Sequence, residues 1–250
     1  MKTTTNFLAT CSLSFSVLAV ATLTACGGGS EDDPIAELTP RQALSQAKAQ
    51  AVHAPTDSAP TMVAAATATV TPALTPWVPN IADTWHWQLT GTINTTHNAK
   101  VYDIDLFDAP TSVMSTLHTQ GKYIVCYFSA GSSENWRPDF SKFKASDLGN
   151  SLSGWAGEKW VDTRSANVRS IMAARMDLAK ARGCDGVEPD NVDGYTNNPG
   201  FPLTSSTQLD YNRFLANEAR ARGLKVALKN DVDQLAALQP SFDFAINEQC

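Results

Sequence analysis

A chain of 250 residues with 43% hydrophobic content is long enough to bury one sizeable core, and one folded domain is the natural count. Nineteen Lys and Arg against 25 Asp and Glu leave a formal charge of -6, a balance that argues against nucleic acid as a partner and favours a cationic ligand. The five cysteines show no metal-ligand spacing and the four histidines are scattered, so neither a metal nor another cofactor is expected.

Lys2 precedes an apolar stretch from Phe7 to Leu23 that is too short and too rich in Ser and Thr for a membrane span, the pattern of a secretory signal peptide over residues 1–25. The stretch ends in Leu23-Thr24-Ala25-Cys26-Gly27, which resembles the lipobox of bacterial lipoproteins and makes Cys26 the lipidated mature N-terminus. Gly27 resembles the residue found in lipoproteins sent to an outer membrane. The expected location is the cell envelope, held to the membrane through a lipid anchor, with plain secretion as the alternative. Residues 26–78 are Gly, Ser and acid, then Ala, Thr and Pro, with few large apolar side chains to offset the entropy of ordering, and they read as a disordered tether. Residues 79–250 are left as the folded domain. That domain holds Cys126, Cys184 and Cys250, so an exported chain permits one disulfide and leaves one thiol over, with the pairing open.

The domain opens on Trp85 to Leu89, a short strand closed by the turn-prone Thr90-Gly91, where an aromatic is either core or a flat surface for a sugar ring. Val101 to Leu106 alternates: Tyr102, Ile104 and Leu106 share one face, Asp103 and Asp105 the other, and the two acids point inward if the strand belongs to a barrel. A buried carboxylate then needs a donor such as Lys229 or a backbone amide. Three times a helical stripe stops at glycine and a buried strand follows: at Gly121 before Tyr123 to Phe128, at Gly183 before Gly186 to Asp190, and at Gly223 before Lys225 to Lys229. With Lys159 to Asp162 and Phe244 to Ile246 the candidate strands number seven, the grammar of a parallel β/α fold. Ser129 to Glu134 follows the third strand with hydroxyls, amides and an acid. No GxSxG elbow or paired histidine supports Ser129 as a nucleophile.

The run Gly183 to Tyr195 packs four carboxylates into thirteen residues. Strand alternation puts Gly186, Glu188 and Asp190 on one face, and Pro189 marks a strand that is ending, so Asp190, Asn191 and Asp193 fall at a C-terminal tip, where β/α folds bind substrates.

GCDGVEPDNVDGY in that run, KVALKN at Lys225 to Asn230 and FAINEQC at Phe244 to Cys250 resemble the endo-α-1,4-polygalactosaminidases of glycoside hydrolase family 114. So do WHWQLTG from Trp85, VYDIDLFD from Val101, VCYFSAGSSENWRPD from Val125 and GEKWVDTR from Gly157. The resemblance implies a (β/α)8 TIM barrel whose eighth strand would follow NEQC, so the chain is expected to be truncated before it. It also implies Asp190 and Glu248 as the catalytic pair, assigned as nucleophile and acid/base, on a partly deacetylated, cationic amino-sugar polysaccharide. Glu248 shares parity with Phe244 and Ile246, and turns into the mouth only past the strand's regular end. Glu188 is the rival for either role, or a buried partner of Lys229. Substrate contacts are expected from Trp85, Asp103, Asp105, Ser129, Glu134, Asp162, Glu188, Asn191, Asp193, Tyr195, Lys229 and Asn230. The competing function is a non-catalytic polysaccharide-binding lipoprotein that keeps the cleft. A deacetylase is disfavoured for want of His/Asp ligand clusters.

Replacing the anchor residue, Cys26→Ser, should move the protein from the membrane fraction to soluble material. Unchanged fractionation would refute lipidation at that position.

Overall fold

A computed structural model of the chain describes residues 75–248. The signal peptide, Cys26, nearly all of the tether and Cys250 lie outside the described residues. The elements in chain order are β1 (Trp85–Gln88), β2 (Val101–Asp105), α1 (Thr111–Thr119), β3 (Tyr123–Ser129), β4 (Ser132–Glu134), β5 (Leu148–Ser151), β6 (Glu158–Val161), α2 (Ala166–Arg182), β7 (Gly186–Asp190), α3 (Ser205–Ala221), β8 (Lys225–Lys229), α4 (Leu235–Leu238) and β9 (Phe244–Ile246). Six strands run parallel in the order β1-β2-β3-β7-β8-β9. The sheet curls so that the Trp85 ring of the first strand lies 5.3 Å from the Phe244 ring of the last. This is the strand and helix arrangement of a (β/α)8 barrel.

The helices form where the glycine stops place them. In α2 the Ser165 hydroxyl accepts from the amides of Asn167 and Val168, and the helix ends at Gly183 with φ 88°, a left-handed step that costs glycine little. Its stripe of Val168, Ile171, Met172, Met176 and Ala179 is buried against the outer face of the strands, with Tyr102, Ile104, Cys126, Phe128, Val187, Val226 and Leu228 in the same core. Those seven residues alternate with the inward-facing set, as the pleat requires.

One expected barrel strand is not in the barrel. Residues 159–161 belong to β6, which pairs antiparallel with both β4 and β5 in a separate sheet of order β4-β6-β5. An antiparallel strand cannot take the parallel position between β3 and β7, and those two pair directly, from Val125 opposite Gly186 to Ser129 opposite Asp190. The small sheet is an insertion standing over the C-terminal end of the strands.

The opposite end is closed by aromatics. Trp77, assigned by composition to the tether, is 3% exposed and packs with Val101, Val125, Tyr123 and Phe244. Trp85 meets Trp77 and Phe244 there, at the N-terminal end of β1, so it is part of this plug and not a sugar platform. No helix among the described residues is long and apolar enough to cross a membrane.

Cys126 on β3 and Cys184, just after α2, form a disulfide with Cα atoms 6.0 Å apart, closing a separation of 58 residues. A Cys126→Ala/Cys184→Ala variant should lose about 2–4 kcal/mol of stability, read from urea unfolding. Equal midpoints with the parent protein would show that the bond contributes nothing.

Candidate active site

The inward face changes character in layers. Val101 and Val125 at the bottom pack on Trp77, Asp103 and Glu188 come next, fully buried, and Asp190 stands above them at the tip of β7. Lys229, the last residue of β8 and 1% exposed, reaches into this column. Its ammonium donates to Glu188 Oε1 at 2.6 Å and lies 3.2 Å from Asp190 Oδ1 and 3.9 Å from Glu248 Oε1. Burial works against that charge, but Asp190, Glu188 and Glu248 outweigh it and raise the pKa well above the usual lysine value.

Asp190 has a second donor: the Tyr127 hydroxyl reaches Oδ2 at 3.0 Å. Burial first, and then the negative charge of Asp190, push the Tyr127 phenol well up, so it stays a donor. Tyr127 was missed, although its parity with Val125 and Ser129 on β3 was readable in the sequence.

Glu248 is tied to the tip of β8. The Asn230 amide donates to Glu248 Oε2 at 3.2 Å, and the Glu248 backbone N–H donates to Asn230 Oδ1 at 3.1 Å. The parity expected for β9 was inverted: Phe244 packs inside the barrel on Trp77, while Ala245 packs against the outer core. Alternation therefore aims Glu248 inward without any irregularity after Ile246.

The backbone is strained where these residues sit. Among the described residues, Asn191 (φ 61°), Asn230 (φ 50°) and Asp231 (φ 46°) are the non-glycine positions with positive φ, and they immediately follow β7 and β8. Asn191 is held by donating to Ser129 Oγ at 2.8 Å, and Gly131 packs so tightly on its carbonyl that a Cβ there would sit 1.6 Å from the oxygen.

A cavity of about 430 Å³ opens over these tips. Asp190, Asn191, Asp193, Lys229 and Asn230 line it from the barrel; Asn150, Trp155 and Trp160 line it from the inserted sheet, and Asn197 and Asn198 from the segment after β7. The second set was missed. Reading residues 159–162 as a barrel strand hid the hairpin that carries Trp155 and Trp160.

Several expected contacts lie elsewhere. Asp105 takes both Nη atoms of Arg137 at 2.9 and 2.6 Å, and Glu134 takes Arg137 Nε and Nη2 at 2.8 and 2.9 Å, so both are committed to a buried ion cluster that is inaccessible to a sugar. Ser129 is fully buried and its hydroxyl is 2.6 Å from that of Ser132, which donates to Glu158. Asp162 receives Nε and Nη2 of Arg164 beside the small sheet. Asp103 lies beneath the mouth rather than in it, within hydrogen-bonding reach of Glu188. Tyr195 is half-buried and approaches Asp231.

The sequence model of Glycoside-hydrolase family GH114 matches residues 65–250. A crystal structure of Aspergillus fumigatus Ega3 in complex with galactosamine is 47% identical, covers 70% of each chain and superposes with a TM-score of 0.68. The glycoside hydrolase domain of PelA from Pseudomonas aeruginosa is 14% identical over 66% of each chain, with a TM-score of 0.49. A MutB mutant in complex with sucrose is 11% identical over 66% of this chain and 49% of its own, with a TM-score of 0.50. No curated protein matches the chain.

Asp231, at the rim, carries a titration that can be measured. Burial and then the charge of Asp193 push its pKa up to about 7, against hydrogen bonds from Tyr195 and Asn212. The folded protein thus keeps a proton that an unfolded aspartate has already released, so this residue's contribution to stability is complete below about pH 4 and is lost as pH rises to about 7. Asp231→Asn, neutral throughout and tolerant of the left-handed backbone, should therefore gain on the parent between about pH 5 and about pH 8 in urea midpoint. A constant difference across that window would show that Asp231 titrates normally.

Proposed function

The chain belongs to Glycoside-hydrolase family GH114, and from that premise we propose that it cleaves α-1,4-linked galactosamine-rich polysaccharide internally, with Asp190 and Glu248 as the reacting carboxylates. The observation that carries this reading is the shared ammonium. Lys229 lies within 4 Å of one carboxylate from the tip of β7 and one from the segment after β9, both at one mouth. Glycosidic cleavage asks for two such groups flanking the scissile bond, one to protonate the leaving oxygen and one to meet the anomeric carbon.

The surroundings divide the roles. Asp190 faces two donors, the Lys229 ammonium and the Tyr127 phenol, which is the environment of an anion, and it is nearly buried beside the sugar's position. It acts on the anomeric carbon. Glu248 is the more exposed, with its side chain 24% accessible against 6% for Asp190, and it exchanges protons with the leaving group and solvent. The Asn230 amide fixes its carboxyl plane.

The cavity's amides, Asn150, Asn191, Asn197, Asn198 and Asn230, suit sugar hydroxyls, and the half-buried Trp155 offers a flat apolar face to a ring. Asp193, Asp190 and Glu248 supply negative charge for the ammonium groups of a galactosamine polymer. The similarity to Ega3, solved with galactosamine, supports that choice of sugar. Export is supported by the Cys126–Cys184 disulfide, a bond of oxidising compartments, and anchoring through Cys26 by the lipobox alone.

The deciding experiment is a reducing-end assay on deacetylated galactosamine polymer. Asp190→Asn and Glu248→Gln each keep shape while removing an ionisable group, and each should lower turnover by roughly 100-fold or more with circular dichroism unchanged. Full activity in either folded variant would refute the pair, and no product from the parent protein would refute the substrate.

A further inference from the structure

Asp103 is the one member of the carboxylate column for which the reaction has no use, and it is the most deeply placed. It is fully buried on β2, opposite Trp87 of β1 and Val125 of β3. No described group donates an N–H or O–H to either of its oxygens. The same holds for Glu188 Oε2, whereas Glu188 Oε1 takes the Lys229 ammonium at 2.6 Å. These donorless oxygens belong to two carboxyl groups within hydrogen-bonding reach of each other.

We propose that Asp103 and Glu188 form a carboxylic acid–carboxylate pair sharing one proton, which resides on Asp103, and that Asp103 is thereby a positioning residue: it holds Glu188 in place so that Glu188 can hold Lys229 against Asp190.

Two contacting buried carboxylates strongly disfavour a second negative charge, because an anionic Asp103 would be uncompensated beside the carboxyl of Glu188, whose counterion is Lys229. A proton between them removes the repulsion and gives Glu188 Oε2 and one Asp103 oxygen a partner in each other. Its placement follows from the second neighbour. The Lys229 ammonium sits on Glu188 Oε1 at 2.6 Å, and nothing comparable touches Asp103. Burial and then the charge of Glu188 raise the Asp103 carboxyl well above the ordinary range, with Lys229 opposing. The other ionisable groups near this level are Tyr127 from β3, Asp190 from β7 and Glu248 beyond β9, and β1 supplies Trp87, whose ring lies 5.7 Å from the Lys229 ammonium. The chain of contacts then runs from Asp103 to Glu188, from Glu188 to Lys229, and from Lys229 to the two carboxylates at the mouth.

The positioning role rests on the reading of Asp190 and Glu248 as the reacting pair; the shared proton does not, so the two are tested separately. Infrared difference spectroscopy of the parent protein against Asp103→Asn at neutral pH should show the carbonyl stretch of a buried neutral carboxylic acid, lost in the variant. Absence of that band overturns the shared proton whatever the activity. In the reducing-end assay, Asp103→Leu should lose at least tenfold in kcat, with the acid limb of kcat/KM displaced upward by about one pH unit because Glu188 has lost its donor. Asp103→Asn, whose amide donates as the acid does, should restore most of that loss and return the limb. If both folded variants are equally impaired, or if Asp103→Leu moves neither kcat nor the limb, the positioning role is overturned. Should the parent prove inactive on the polymer, the infrared band still decides the proton.

Discussion

The Lys229 ammonium stands where the barrel interior turns from apolar to ionic, and the carboxylates around it tolerate burial because it is there. Withdrawing a carboxylate from water costs several kcal/mol even after the protein relaxes, and Glu188 and Asp190 are respectively 0% and 4% exposed. One ammonium within 4 Å of Glu188, Asp190 and Glu248 offsets part of that cost for each. The shortest contact goes to the deepest of these three, Glu188. Lys229 is thereby fixed from below, and it meets the two mouth carboxylates from a set position rather than following them as they change charge.

That arrangement requires the strand tips to be placed within tenths of an ångström, and the fold achieves this with strained backbone. Left-handed asparagine and aspartate at 191, 230 and 231 turn the chain sharply as β7 and β8 end. They persist because each is held by side-chain hydrogen bonds: Asn191 to Ser129 and Asp231 to Asn212 in the interior, and Asn230 to the half-buried Glu248. The inserted sheet is locked to the same place through Ser132 and Glu158, so the wall of the cavity and its floor share one network. Such strain, of order 1–3 kcal/mol per residue, is retained where geometry matters more than stability.

Much of this was legible in the chain. Glycine stops at 121, 183 and 223, apolar stripes on the helices and alternation in the strands gave the parallel β/α pattern, because those signals arise from local sterics and from which face is buried. The Lys229 contact with Glu188 was likewise foreseeable, since a buried acid on one strand needs a cation from another. What escaped depends on long-range partners. Residues 159–161 read as a strand correctly, but whether a strand pairs parallel or antiparallel is decided by its neighbours and not by its own sequence. The inward face of β9 was misassigned because Phe244 is apolar, and apolar residues were taken to face the helices. At the bottom of this barrel they face inward, onto Trp77. Trp85 was open between core and sugar surface, and its ring lies beside Trp77 and Phe244.

The acids that left the site alter how the mouth attracts a substrate. The sequence pattern puts Asp103, Asp105, Asp162 and Asp193 along the mouth, acids that would draw a polycation in. Instead Asp105 is bound to Arg137, Asp162 to Arg164, and Asp103 lies buried beneath the mouth. A buried arginine bound by two carboxylates contributes rigidity to the β2 and β4 ends rather than a field. The charge left facing solvent belongs to Asp190, Asp193 and Glu248, with amides filling the rest of the cavity. Under the function proposed above, an ammonium-bearing sugar would therefore feel attraction concentrated at Asp190, Asp193 and Glu248, while its hydroxyls would meet neutral amides that do not repel or trap the polymer along its length.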